Sequence, residues 1–352
     1  MAKTIWSAGE EILAADINTN FYTNFGGDGT DGALSVAAGT TNIDASGANI
    51  VIKNYTSISI ASGATLALTN KAAGGTILIL RSQGNVTIEG LIDLEGDGAA
   101  ADTNGFSILD YSADHEGGSG ANGSGSTGGA AGTIGAILNL KDLYSTPDAI
   151  RLYKRVLNLA CGSGGGTGGA GDGTGTPGAG GAGGAGGGVL IIECAKALDF
   201  DVGGEINING TIGTNGGDAS GDNGGGGGGG GGTAGMALVL YNTLTDNSGT
   251  INAKGGAGGD GGEGGGGGSG DGGGGGGGAG SGSYTTAGKA GGAGSNRSAG
   301  VGDNGTNTND ASGAGGGGGA GNDNPIGPAG GTGGTQGATD ANHYLVTENK
   351  FL

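Results

Sequence analysis

Acid–base or metal chemistry in this chain would have to be built around His115 and His343, its two histidines. Asp114-His115-Glu116 sets two carboxylates beside one imidazole, the residue types of a ligand set or an acid–base cluster. Consecutive residues in a glycine-rich loop point in different directions, and no second motif completes a site, so the triplet reads as a solvated loop. Gly26-Gly27-Asp28-Gly29-Thr30-Asp31-Gly32-Ala33-Leu34 nearly matches the calcium-binding nonapeptide of parallel β-rolls. Ala33 stands at the position that repeat gives to an apolar residue, and no tandem copy follows, which leaves a Gly-Asp turn. No Lys-Ser/Thr pair follows a glycine-rich stretch, so none reads as a phosphate cradle. Cys161 and Cys194 lack CxxC spacing and a disulfide framework. They read as buried thiols. The sequence therefore assigns no catalytic residue, metal or cofactor, and the expectation is a protein that is not an enzyme.

Binding is the chemistry that remains. A flat glycine surface offers little specificity, so recognition belongs where the glycine tracts break into larger side chains. Those places are Phe106 to Tyr111, then Tyr284, Thr285 and Thr286, then Asn296 and Arg297, then Asn322, Asp323 and Asn324. An aromatic ring stacked on a sugar face, with Asn or Asp taking the hydroxyls, would make a glycan site. The competing reading of the same residues is structural, as turn residues that cap glycine helices.

The elements that must carry these residues are unusual in composition. Of 352 residues 100 are Gly and 4 are Pro, against ordinary usage of about 7% and about 5%. Collagen needs Gly at every third place and abundant Pro, and the unbroken run from Gly224 to Gly232 excludes it. Order in a tract without side chains has to come from backbone donors and acceptors pairing with other backbone. Extended threefold chains lying side by side, each about 3.1 Å per residue, meet that requirement, and they predict polyglycine II bundles. The formal net charge of −19 argues against nucleic acid and against an anionic membrane surface. No stretch has the length of a membrane-spanning helix, and Met1 to Phe25 lacks the basic start and apolar run of a signal peptide.

A capping box, Ser7 with Glu10, predicts an N-terminal helix, with Leu13, Ile17, Phe21 and Phe25 on one face. A lone helix of that length is marginal, so its stripe should dock on the chain's own β region or on a neighbouring subunit. Asn49 to Lys53, Ser57 to Ala61 and Thr65 to Thr69 alternate as short strands. Three stretches then share one pattern: glycine entry, apolar strand, turn, second strand ending in Gly. They are Gly74 to Gly96, Gly187 to Gly210 and Gly235 to Gly255. Degenerate copies of this kind predict stacked β units, each burying its apolar strand against the next. The fold class expected is mainly β, solenoid- or sandwich-like, with inserted polyglycine II bundles and a short N-terminal α-helix. The domains expected are 1–27 for attachment and oligomerisation and 28–101 as a β region. A Gly-rich insertion at 102–186 carries one helix over 147–160. Two further β units fill 187–256 around a tract at 213–235, a glycine region spans 257–338, and a C-terminal strand lies within 339–352.

Trp6-Ser7-Ala8-Gly9-Glu10, followed by Ala14-Ala15-Asp16-Ile17-Asn18-Thr19-Asn20-Phe21, resembles the N-terminal motif of many bacteriophage tail fibre and tail-associated proteins. The resemblance implies an N-terminus, with Trp6, Leu13, Ile17, Asn18, Phe21 and Phe25, that joins the virion or a preceding fibre segment. The glycine tracts are similar to those of the polyglycine-rich tail fibre adhesins of T-even-like phages, whose bundles present receptor-binding loops. From both comes the expectation of a virion structural protein, a homo-oligomer with a trimer favoured. Its partners would be other tail or fibre proteins and a host cell-surface glycan or outer-surface protein. The alternative is a subunit of a cellular extracellular filament or matrix.

Overall fold

The structure, a computed structural model, describes residues 25–106, 120–124, 129–130, 132, 160–173, 175–221, 223–266, 274, 277, 292, 329–335 and 344–348. The protein is mainly β in these residues, and no α-helix occurs among them. The helix expected before Phe25 and the one expected over 147–160, up to Ala160, lie outside the described residues.

The chain winds in coils. The first contributes β1 (Ala33–Val36) and β2 (Gly39–Asp44), and the second β3 (Ile50–Tyr55), β4 (Ser57–Ile60) and β5 (Ala64–Thr69). A two-residue β6 (Gly74–Gly75) leads into β7 (Ile77–Ser82), β8 (Val86–Ile88) and β9 (Leu91–Asp93), after which β10 (Gly98–Ala99) pairs antiparallel with β6. Two more coils consist of β11 (Val189–Phe200) with β12 (Glu205–Asn207), and β13 (Met236–Asn247) with β14 (Thr250–Asn252). β15 (Tyr344–Glu348) follows.

Equivalent strands lie on one another in parallel, which makes three stacks. The first holds β1, β4, β8 and the second halves of β11 and β13. The second holds β2, β5, β9, β12 and β14. The third holds β3, β7, the first halves of β11 and β13, and β15. The twelve-residue β11 and β13 each span two stacks, and a register shift between Cys194 and Ala197 marks where they bend. Parallel stacking of successive coils is the solenoid half of the expected alternatives. Each expected strand pair is present, but what read as a turn between its members is itself a strand of the first stack.

Side-chain alternation explains the packing. In the third stack Leu78, Leu80, Leu190, Ile192, Ala237 and Val239 point inward to the main core, with Ile58, Ile60, Leu66, Ile88, Ile92 and Phe200 from the other two stacks. The intervening Ile77, Val189, Ile191, Met236 and Leu238 are also buried, in a second cluster with Phe25 and Phe106 against it. Strands covered on both faces read as continuous apolar runs, which is why Val189-Leu190-Ile191-Ile192 does not alternate. Each such side chain contributes about 1.5–3 kcal/mol on burial. Thr76, fully buried, is satisfied by donating to Ala48 O at 2.8 Å and accepting from Ala72 N at 3.2 Å.

All three long glycine-rich excursions leave at one corner, between the second stack and the third. They follow β9, β12 and β14 and return into β11, β13 and β15. After β5 the same corner is turned by residues 70–76 alone.

Candidate functional site

The excursions contain paired extended legs: 162–171 with 178–187, 208–219 with 224–235, and 254–265 with 329–335. Their hydrogen bonds recur at every third residue. Gly178, Gly181, Gly184 and Gly187 donate to the carbonyls of Gly224, Gly227, Gly230 and Thr233 at 2.8–2.9 Å. Gly224, Gly227, Gly230 and Thr233 donate in turn to Asp172, Gly169, Gly166 and Ser163. Gly226, Gly229 and Gly232 donate to Gly217, Thr214 and Thr211, while their own carbonyls receive Gly262, Gly259 and Gly256. The tract 223–235 is thus bonded to four other legs and is buried throughout.

Register in the legs is inherited from the strands. Val189 pairs with Met236 in the sheet, and the bond from Gly187 to Thr233 continues that parallel pairing back to Gly178 and Gly224. The period changes from two residues to three, while the partner stays the same. Glycine is required because successive residues of a leg face different neighbours, the same neighbour returning at every third residue. A Cβ on Gly226 would overlap the carbonyl of Ala179, and one on Gly231 that of Gly256.

Larger residues stand on the outer rows, also three apart. Ala179 and Ala182 are exposed between buried Gly178, Gly181 and Gly184. Thr211 and Thr214 each bond a neighbour through both N–H and hydroxyl: their Oγ1 atoms accept from Ala185 N and Ala182 N at 2.7 Å. Asn209, Asn215 and Asp218 offer Oδ1 to the amides of Lys254, Asp260 and Glu263 at 2.7–2.9 Å. A side-chain oxygen there takes the place of the carbonyl that another leg would supply. Asn122 does the same for Ala170, and Asp260 for Gly333. At the far end, buried Asn223 accepts from Gly175 N and donates to Ser220 O, tying two hairpin ends together.

Side chains with charge are placed for structure. Asp28 takes both the amide and the hydroxyl of Thr30, which holds its carboxyl below the usual range. Asp31 accepts from Asn54 N at 2.6 Å, with Lys53 Nζ 3.9 Å away. Arg81 Nε lies 3.0 Å from Glu193 Oε2, close enough for an ion pair but not aligned for a hydrogen bond. The same carboxylate reaches Gly26 N at 3.4 Å. Gly26, at φ +82°, passes so near Ser82 O that a side chain there would overlap it. Cys161 and Cys194 are buried free thiols, and burial pushes the Cys161 thiol up to about 12. No group of three or more His, Cys, Asp and Glu able to hold a metal occurs among the described residues.

Of the residues singled out by sequence, Phe25 and Phe106 are described. Phe25 packs on the outer cluster of the third stack. Phe106 packs there too, at the base of the legs, where its N–H donates to Gly74 O and its carbonyl accepts from Cys161 N. Trp6, Leu13, Ile17, Asn18, Phe21, Tyr111, Tyr284, Thr285, Thr286, Asn296, Arg297, Asn322, Asp323 and Asn324 lie outside the described residues, as do Asp114, His115, Glu116 and His343. Sequence reasoning missed two rows, Asn209, Asn215 and Asp218 on one and Thr211 and Thr214 on the other, and the buried Asn223 at the far end. The signal of the rows was the spacing of three between non-glycine residues. No family model, curated protein or solved structure matches the chain.

Proposed function

We propose that the chain is a virion structural protein, a tail fibre or receptor-binding adhesin, whose glycine tracts pack as polyglycine II helices into a stiff scaffold for host attachment. The observation that carries this reading is the three-residue hydrogen-bond period, held in register with the strands across five legs. Such a body resists bending because every leg is bonded to others along its length, and it needs few large side chains. It works without chemistry: the legs place loops at a fixed distance from the coil, and the loops touch the host surface. Tyr284 to Thr286, Asn296 and Arg297, and Asn322 to Asn324 fall in the chain between leg 254–265 and leg 329–335, where such loops belong. The segment from Trp6 to Phe25 serves attachment and oligomerisation, with a trimer favoured, and Phe25 packing on the outer cluster of the third stack supports its docking on the coil.

Antibody to the purified chain, applied to virions and viewed by negative stain, tests the proposal. Label on the tail is the expected result, and label absent from the tail refutes it. Purified protein that grows open-ended fibres in place of discrete trimers would instead favour a filament subunit.

A further inference from the structure

We propose that copies of this chain join end to end, the last coil of one seated on the first coil of the next, so that all three stacks run on through the joint. At the leading end β1, β2 and β3 are each paired on one side, with β4, β5 and β7. At the trailing end the second half of β13 is paired with β11, β14 with β12, and β15 with β13. Among the described residues no strand lies on their other sides. An open strand edge is a template for another chain, and natural edges are blunted by proline, charge or a covering segment. None of these six strands contains proline, and apolar side chains stand open on them: Ile50 is 40%, Ile52 46% and Leu244 41% exposed. Leu244 ends the core row of Leu34, Ile58, Val86 and Leu198. Ile52 begins the outer row that runs through Ile79, Ile191 and Leu238 to Leu345.

The two ends have matching steps. The first coil supplies β1 and β2 to the first and second stacks, while the third stack begins one coil later with β3. At the other end β15 carries the third stack one strand, about 4.8 Å, beyond the last strands of the other two. A neighbour seated there sets its β1 on the second half of β13, its β2 on β14 and its β3 on β15, and β15 with the incoming β1 and β2 makes one complete coil. Leu34 then covers Leu244, Ile52 covers Leu345 and Val51 follows Tyr344, each extending a row already present. Asp31 fixes where the edge of β3 closes: its carboxylate takes Asn54 N–H at 2.6 Å and its own N–H donates to Asn54 O at 2.8 Å, which leaves Ile50 to Lys53 for β15.

Charge agrees with this register. Asn42, Ala67, Asp93, Asn207 and Asn252 form one row of the second stack, and the bond from Gly210 N to Lys254 O keeps the ladder in step two residues beyond Asn252. Asp44 lies two residues beyond Asn42 and is exposed, so continuing the row brings it beside Lys254 of the preceding copy. A second copy is the occupant this pattern fits, because the trailing end complements the leading end of the same chain. A joint between unlike faces does not close on itself and extends as a fibre. The joint goes beyond the virion reading, since it adds length whether a cross-section holds one copy or three.

Light scattering of the purified full chain over a concentration series, with negative-stain images of the products, tests the joint. Mean mass should rise with concentration, and the images should show unbranched fibres. Leu244→Lys blocks the trailing end and Ile52→Lys the leading end, both at exposed positions, so that the coil keeps its fold. Each variant alone should hold a constant mass, and an equal mixture should form joined pairs and nothing longer, since one open end of each remains. Lys254→Glu should weaken association about fivefold at low salt and less at high salt. Mass per length separates the joint from the reading above: three copies per step keeps the trimer, one copy per step favours the filament subunit, and either supports the joint. A mass of the unaltered protein that does not change with concentration overturns the proposal, including the case in which residues 349–352 cover the edge of β13 themselves. Growth of either variant alone overturns it as well.

Discussion

Replacing Gly229 by Ala tests the packing of the legs at its centre. The added Cβ would overlap the carbonyl of Ala182 and stand 2.9 Å from Gly183 N. Leg 178–187 would have to retreat by about 1.5 Å to restore ordinary contact near 3.5 Å. Gly229 also donates to Thr214 O at 2.9 Å and accepts from Gly259 at 2.8 Å, while Gly181 is tied to Gly227 at 2.8 Å. Overpacking alone costs about 1–3 kcal/mol, and each weakened bond about 1 kcal/mol, so the loss should be near 3 kcal/mol. That corresponds to roughly 100-fold more frequent opening, read as faster exchange of the Gly226, Gly229 and Gly232 amides. Gly217→Ala is the control within the same assembly, since its Cβ would meet nothing nearer than Ala179 N at 3.1 Å. It should cost less than about 1 kcal/mol. Exchange in Gly229→Ala that matches both the parent and Gly217→Ala would refute the claim that close backbone contact excludes side chains there.

Other consequences are open to direct measurement. Ile212, 64% exposed, occupies the row of Asn209, Asn215 and Asp218 without an acceptor; Ile212→Asn should offer one to the Ala257 amide and stabilise the protein by about 1 kcal/mol, seen as slower exchange at Ala257. Leu198→Ala removes a fully buried member of the main core and should cost about 2–5 kcal/mol in denaturant unfolding. Glu193→Ala removes a partly exposed ion pair with Arg81 and should cost under about 1 kcal/mol, yet speed exchange at Gly26. Cys161 and Cys194, both buried with thiols raised by burial, should resist alkylation in the native protein at pH 8 and react once it is unfolded.

The β architecture was legible where glycine punctuates apolar runs. The pairs β7 with β9, β11 with β12, and β13 with β14 follow the repeated glycine, strand, turn and strand pattern. The first stack was legible only at β4, expected as Ser57 to Ala61. Val86-Thr87-Ile88 is three residues long, and the second half of β13 is largely exposed, so neither carries a clear period of two. Adjacency among the legs was not legible either, because a run such as Gly224 to Gly232 has no side-chain pattern to fix a register. That register comes from β11 and β13, and no reading of the tract alone supplies it. The outer rows are different. Ala179, Ala182 and Ala185, like Thr211 and Thr214, repeat at three in the sequence and mark which side of each leg meets solvent or a capped edge.

The shared exit corner has a bearing on how such a protein can vary. A leg and its partner lengthened together by a whole number of three-residue steps would keep every existing bond and leave the coil untouched, whereas a single inserted residue would set all that follows it out of step with its hydrogen-bond partners. Reach from the coil is then a quantity that descent can adjust in discrete increments, with tract lengths among relatives expected to differ by multiples of three.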